Sequence, residues 1–144
     1  MKDKYSIEPL TPQRVMQLWD TLEPMIQESC EANEISKGAL SGEAVLSLAA
    51  ANMCTAFLCS KNQEPEMVIV IQIFEEDDRK LASVLALAGK NLLSYKRRYW
   101  SSILQWLKDN GVKFLDALAS PRMANIYLRK YGFTKSCVCV RMEL

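Results

Sequence analysis

The chain contains no histidine. That absence excludes Ser-His-Asp and Cys-His nucleophilic arrangements and every imidazole-ligated metal centre. An excess of charge of one sign is also lacking: 18 Lys and Arg face 17 Asp and Glu, for a formal net charge of +1. Bulk attraction to nucleic acid or to a membrane surface is therefore not expected, and any anion site must be local. Long apolar runs are missing too. The longest, Val68 to Ile71 and Leu115 to Ala119 (interrupted at Asp116), fall far short of the roughly 20 residues a bilayer requires. Met1 leads into Lys2, Asp3 and Lys4 with no apolar stretch behind it, so no secretion signal is expected. The 5 cysteines are odd in number and include no C-x-x-C pair, which argues against a disulfide framework and a zinc site. Cys137 and Cys139 stand two apart on an expected strand, where they should share a face and lie buried as small hydrophobes. No metal site is expected.

What is present is ordinary for a folded protein. Hydrophobic residues make up 49% and charged residues 24% of 144 residues, which predicts one domain over 1–144. Tyr5 to Pro9 reads as a short strand. Thr11-Pro12 then caps a helix whose stripe runs Val15, Leu18, Trp19, Leu22, Met25, Ile26 and Cys30, with a kink or split expected near Glu23 from Pro24. Ser41 caps a second helix. Thr55 to Cys59, Met67 to Phe74 and Leu81 to Leu87 read as strands, the last two joined by the charged turn Glu75 to Lys80. A long helix from about Ser94 to Asn110 ends at Gly111. A strand, Lys113 to Ala119, leads to a helix opened by Ser120-Pro121 and closed by Gly132. Phe133 to Leu144 alternates, with Val138, Val140 and Met142 on one face, and reads as a final strand. The expected class is α/β (α+β), in the order β-α-α-β-β-β-α-β-α-β, with helices on both faces of a mixed sheet.

That order, together with Ala124-x-x-Tyr127-Leu128-x-x-Tyr131-Gly132-Phe133 and a closing strand, resembles the GNAT (N-acetyltransferase-like) superfamily. Leu18-Trp19, Leu87-Ala88-Gly89, Trp106-Leu107 and Tyr131-Gly132-Phe133 are similar to features of small GNAT-like proteins encoded among the head and tail genes of tailed bacteriophages. The resemblance implies an acetyl-CoA site where a strand turns into the central helix, with glycines there because phosphates must approach bare main chain. The corresponding stretch, Leu87 to Tyr95, offers one glycine, Gly89. The tyrosine that serves as acid in the family would fall at Leu128. Tyr127 and Tyr131 flank that position but are turned away from it around the helix. Leu81 to Leu87 carries no carboxylate that could act as a base, and Glu75 lies in the neighbouring turn.

These residues lead to an expected non-catalytic GNAT-like domain, a structural or assembly component of a phage particle acting through protein–protein contacts. Its expected partners are other phage structural proteins or a second copy of the chain, with neither membrane nor nucleic acid. Its expected place is the host cytoplasm during assembly, or the virion, with no cofactor. The alternative is an acyl-CoA-dependent N-acetyltransferase using acetyl-CoA with an atypical loop. Its candidate catalytic residues are Tyr127, Tyr131 and Glu75, and its candidate cofactor residues are Leu87, Gly89, Lys90, Lys96, Arg97, Arg98 and Arg122. Cations at two helix starts oppose the helix dipole unless an anion binds there. A further alternative is a small regulatory binder of nucleic acid or acidic protein through Lys96 to Arg98. Trp106 lies off the main stripe of its helix and is a candidate partner contact.

Overall fold

Short polar turns between β-branched and aliphatic runs decide the architecture. A computed structural model describes residues 2–32, 41–89 and 97–144. Five strands form one sheet in chain order: β1 (Tyr5–Leu10), β2 (Thr55–Lys61), β3 (Glu64–Glu76), β4 (Arg79–Gly89) and β5 (Val112–Ala117). Neighbours from β1 to β4 run antiparallel, and β5 joins β4 in parallel. The two long hairpins turn on Asn62-Gln63 and Asp77-Asp78, all four at positive φ. Paired left-handed residues give the turn whose twist matches that of the flanking strands.

Helices cover both faces. On the first lie α1 (Pro12–Gln17), α2 (Trp19–Ala32) and α3 (Gly42–Ala50), over a core that includes Leu22, Ile26, Ala56, Leu58, Val68 and Val70. On the second lie α4 (Arg97–Asp109) and α5 (Pro121–Lys130), packed on Phe57, Cys59, Met67, Ile69 and Ile71. Strict alternation along β2 and β3 supplies both cores from the same strands, so these strands are buried on both faces. The caps are also where the sequence puts them. Thr11, Ser41 and Ser120 accept from the main chain of Arg14, Ala44 and Met123 at 3.2, 3.1 and 3.4 Å. Each such cap stabilises its helix by about 1 kcal/mol.

Three expectations need correction. The break in the first helical stripe falls at Leu18, between α1 and α2, and α2 runs unbroken through Pro24. Proline at this point deletes the hydrogen bond to Asp20, only the second residue of α2, and Pro24 itself is exposed, so its ring meets solvent. Phe133 to Leu144 is not a strand, although its alternation fits one. Alternation makes a segment suitable for a ladder, but the ladder also needs a neighbouring strand, and no strand of the described residues pairs with it. Cys137 and Cys139, expected to be buried, are consequently exposed, whereas Cys30, Cys54 and Cys59 are buried. No helix among the described residues is long and apolar enough to cross a membrane.

Candidate functional site

The site is built on the second half of β4. From Lys80 to Val84 this strand is held on both sides, by β3 and by β5. Pairing with β5 stops at Val84 and Ala117, yet β4 continues to Gly89 while the chain beyond Ala117 leaves through Leu118 and Ala119 into α5. The two strands part there. At the same point β4 carries a bulge: Val70 faces Ala86 and Ile71 faces Val84, so Leu85 has no partner across the ladder. The extra residue changes the phase of the strand. Ala82 and Val84 point into the second core before the bulge and Leu87 does so after it, while Ala86 and Ala88 turn to the first. Past the bulge, β4 offers a strand edge that no other strand of the described residues covers.

Side-chain hydrogen bonds tie the helices to the sheet and to one another. Ser29 of α2 donates its hydroxyl to the Leu87 carbonyl at 2.9 Å, bridging the first helical layer to the open half of β4. In the first turn of α4, the buried Tyr99 phenol reaches the Ser60 carbonyl at 3.0 Å and Glu66 Oε2 at 2.8 Å. These bonds seat α4 against β2 and the start of β3, next to the Met67 that faces Gly89 across the ladder. Trp100 donates its indole N–H to the Tyr131 carbonyl at 2.8 Å, and its ring meets Tyr131 edge-on at 5.1 Å. That contact locks α4 to the end of α5.

The residues singled out by sequence divide accordingly. Leu87 and Gly89 are at the site. Leu87 is buried in the second core. Gly89 has φ of +147°, and a Cβ there would collide with the Glu66 carbonyl oxygen and lie 2.8 Å from Met67 Cα. Close approach to β3 thus already requires glycine at this position, whatever binds beyond it. Tyr127 and Tyr131 are core residues, at 6% and 3% exposure, stacked with Trp100 and Phe133. Burial, and then the neighbouring Tyr131, pushes the Tyr127 phenol well above its ordinary pKa, so it stays protonated near pH 7. Leu128 is exposed. Glu75 pairs with Lys80 at the hairpin end of β4, about 17 Å of strand away from Leu85, and so lies outside the cleft. Arg122 stands exposed in the first turn of α5. Lys90 and Lys96 lie outside the described residues, as do the side chains of Arg97 and Arg98. Trp106, read as a partner contact, is partly buried against Phe57, ring centroids 5.0 Å apart, and lines a groove of about 410 Å³ with Tyr5, Pro9 and Ser102. Sequence reasoning missed Leu85 and Ser29.

Cys59, buried near Glu66, is held as a thiol, its pKa pushed up to about 12 first by burial and then by the Glu66 charge. Cys54 is raised to about 11 by burial. Both free thiols have an ordinary value near 9.0. Between that value and the folded ones, the unfolded chain releases protons that the folded chain retains, so stability falls as pH rises above about 9. Chemical denaturation midpoints should hold steady at neutral pH and drop progressively from about pH 9 to pH 11. A midpoint unchanged over that range would refute the assigned burial.

No protein-family model and no curated relative matches the chain. Solved structures do. A GCN5-related N-acetyltransferase from Ralstonia eutropha JMP134 shares 14% identity over 97% of this chain and 99% of its own, with a TM-score of 0.66. An aminoglycoside acetyltransferase from an uncultured soil metagenomic sample, solved with sisomicin, shares 14% over 97% and 96%, at 0.65. The aminoglycoside N-acetyltransferase AAC(6')-Iy, solved with CoA, shares 10% over 100% and 97%, also at 0.65. The fold is the GNAT fold. These likenesses overturn the expectation of a non-catalytic component of a phage particle, because the three solved chains just named, similar along nearly their whole length, are acetyltransferases. The sparse glycine in Leu87 to Tyr95 concerns the loop; the parted strands and the bulge lie before it.

Proposed function

We propose that this chain is an acyl-CoA-dependent N-acyltransferase, moving an acetyl group from acetyl-CoA to a primary amine. The observation that carries this reading is the parting of β4 from β5 at Val84 and Ala117, with the Leu85 bulge at the same place. An open strand edge presents main-chain donors and acceptors that an extended, amide-bearing arm can pair with as another strand would. Acetyl-CoA supplies an activated acyl thioester at the end of such an arm, and the open edge from Leu85 to Gly89 suits it. Lys90, Lys96, Arg97, Arg98 and Arg122 are the residues proposed to hold its phosphates, by charge-assisted hydrogen bonds.

The chain's own contribution is then chiefly positional. The β4 main chain fixes the arm, and the Ser29 hydroxyl steadies the Leu87 carbonyl from the opposite layer. Buried Leu87, Ala86 and Ala88 keep that edge dry. Holding an amine and an acyl carbon in register replaces an encounter in solution, an effect that can remove about 7–11 kcal/mol from a barrier. Support for an amine acceptor comes from the N-acetyltransferases among the fold's solved members.

Titration calorimetry with acetyl-CoA should give micromolar binding. Free CoA thiol should then appear, followed with a thiol-reactive dye, when a panel of aminoglycosides, polyamines and peptide amines is added. No heat of binding at millimolar acetyl-CoA, with the chain shown to be folded, would end this reading.

A further inference from the structure

The geometry points to a second copy of this chain docked along the outer edge of β1. The two β1 strands run antiparallel about a two-fold axis at Ser6, and one sheet continues through both molecules. β1 is the edge strand at the opposite end of the sheet from β5, paired to β2 on one side and to no strand of the described residues on the other. An edge of that kind is a template for another strand.

The direction of the main chain in β1 can be read from its first bonds. Lys4 donates its N–H to the Asn62 side chain at 2.8 Å and accepts from the Asn62 N–H at 2.6 Å, so both its main-chain groups turn to β2. Along an antiparallel strand this direction alternates. Ser6 and Glu8 therefore turn theirs to β2 as Lys4 does, and Tyr5, Ile7 and Pro9 direct theirs outward. Pro9, which has no N–H, stands where β2 requires none. Side chains alternate too. Tyr5, Ile7 and Pro9 line the groove of about 410 Å³ shared with Ser102 and Trp106 of α4, on the second face. Ser6 and Glu8 fall on the first, where Arg14 holds the Glu8 carboxylate at 2.8 Å.

The charges select the register. With Ser6 on the axis, Tyr5 of each copy stands opposite Ile7 of the other, and each such pair exchanges two main-chain bonds. Lys4 of each copy then faces Glu8 of the other, and the two Ser6 hydroxyls meet. Pro9 lies beyond this span, where its missing donor costs nothing. An axis at Glu8 sets two carboxylates against each other, which destabilises the pairing. An axis at Ile7 puts Pro9 opposite Tyr5, whose carbonyl it cannot serve. An axis at Tyr5 sets apolar Ile7 against Asp3. On the second face the two grooves adjoin across the axis at Ser6, and Tyr5, 40% exposed, comes to lie against Ile7 of the other copy. The contact is isologous and closes as a dimer.

Light scattering coupled to size-exclusion chromatography should give twice the chain mass. Ile7→Pro deletes an N–H that points away from β2, so the chain keeps its own ladder while the outer edge is blocked. This variant should be monomeric, with an unchanged circular dichroism spectrum. Lys4→Glu sets like charges opposite each other at two places and should weaken the dimer about tenfold. The double variant Lys4→Glu, Glu8→Lys should restore it, although it lacks the Glu8–Arg14 ion pair. Should Ile7→Pro fail to fold, the charge variants decide the matter. A monomer at every concentration overturns the inference. So does a dimer that survives Ile7→Pro in folded form, or one that is indifferent to Lys4→Glu.

Discussion

Trp100→Ala is expected to lower folding stability by about 3–5 kcal/mol, the range for deleting a large aromatic from a packed interior. Trp100 is 2% exposed, touches Tyr131 and Phe133, and donates to the Tyr131 carbonyl at 2.8 Å. Removing it leaves a cavity between α4 and α5 and a buried carbonyl without its donor. Against a total of roughly 5–15 kcal/mol for a domain of this kind, that is a large fraction. Trp100→Phe keeps most of the ring but not the N–H, so its loss should be smaller. Urea denaturation of the three proteins gives the comparison. A loss below about 1 kcal/mol for alanine would show that the α4–α5 contact is not the clamp described here.

Gly89→Ala is the second large effect. A side chain at φ +147° is strained by about 1–3 kcal/mol on backbone grounds alone. The collision with the Glu66 carbonyl oxygen adds to this, and main chain cannot yield as a flexible side chain does. The end of β4 must then move away from β3, which also disturbs the Tyr99–Glu66 bond at 2.8 Å. The expected result is a lowered denaturation midpoint together with weakened acetyl-CoA binding. Full stability with binding lost would instead mean that the glycine serves a ligand and not the strand.

The sequence made the local chemistry of this fold legible. Ser-Pro and Thr-Pro caps, the acidic turn, and Gly111 and Gly132 each act within a few residues, so their signals survive without tertiary context. The bulge was hidden for a physical reason. Leu81 to Ala88 is apolar or small at every position, and either phase of the strand would bury such side chains equally well. Ser29 and Leu87 are 58 residues apart, and no spacing rule connects a helical serine to a carbonyl that distant. The tail misled in the opposite direction. Its alternation is a property of its own residues, while forming a strand depends on a partner's edge. Glu75 was a candidate because a carboxylate beside a core strand looks available, and only the register shows it at the far end from the parting strands.

The single unmatched residue in β4 has a consequence for placing this chain beside distant relatives. Up to Val84 the odd and even positions have one meaning, and from Ala86 they have the other. An alignment that keeps one phase along the whole strand sets inward residues of one protein against outward residues of the next and counts conserved packing as divergence. Allowing a one-position slip at Leu85 restores the correspondence, and a natural variant lacking this residue would keep Ala86 to Ala88 on their present faces in an unbroken ladder.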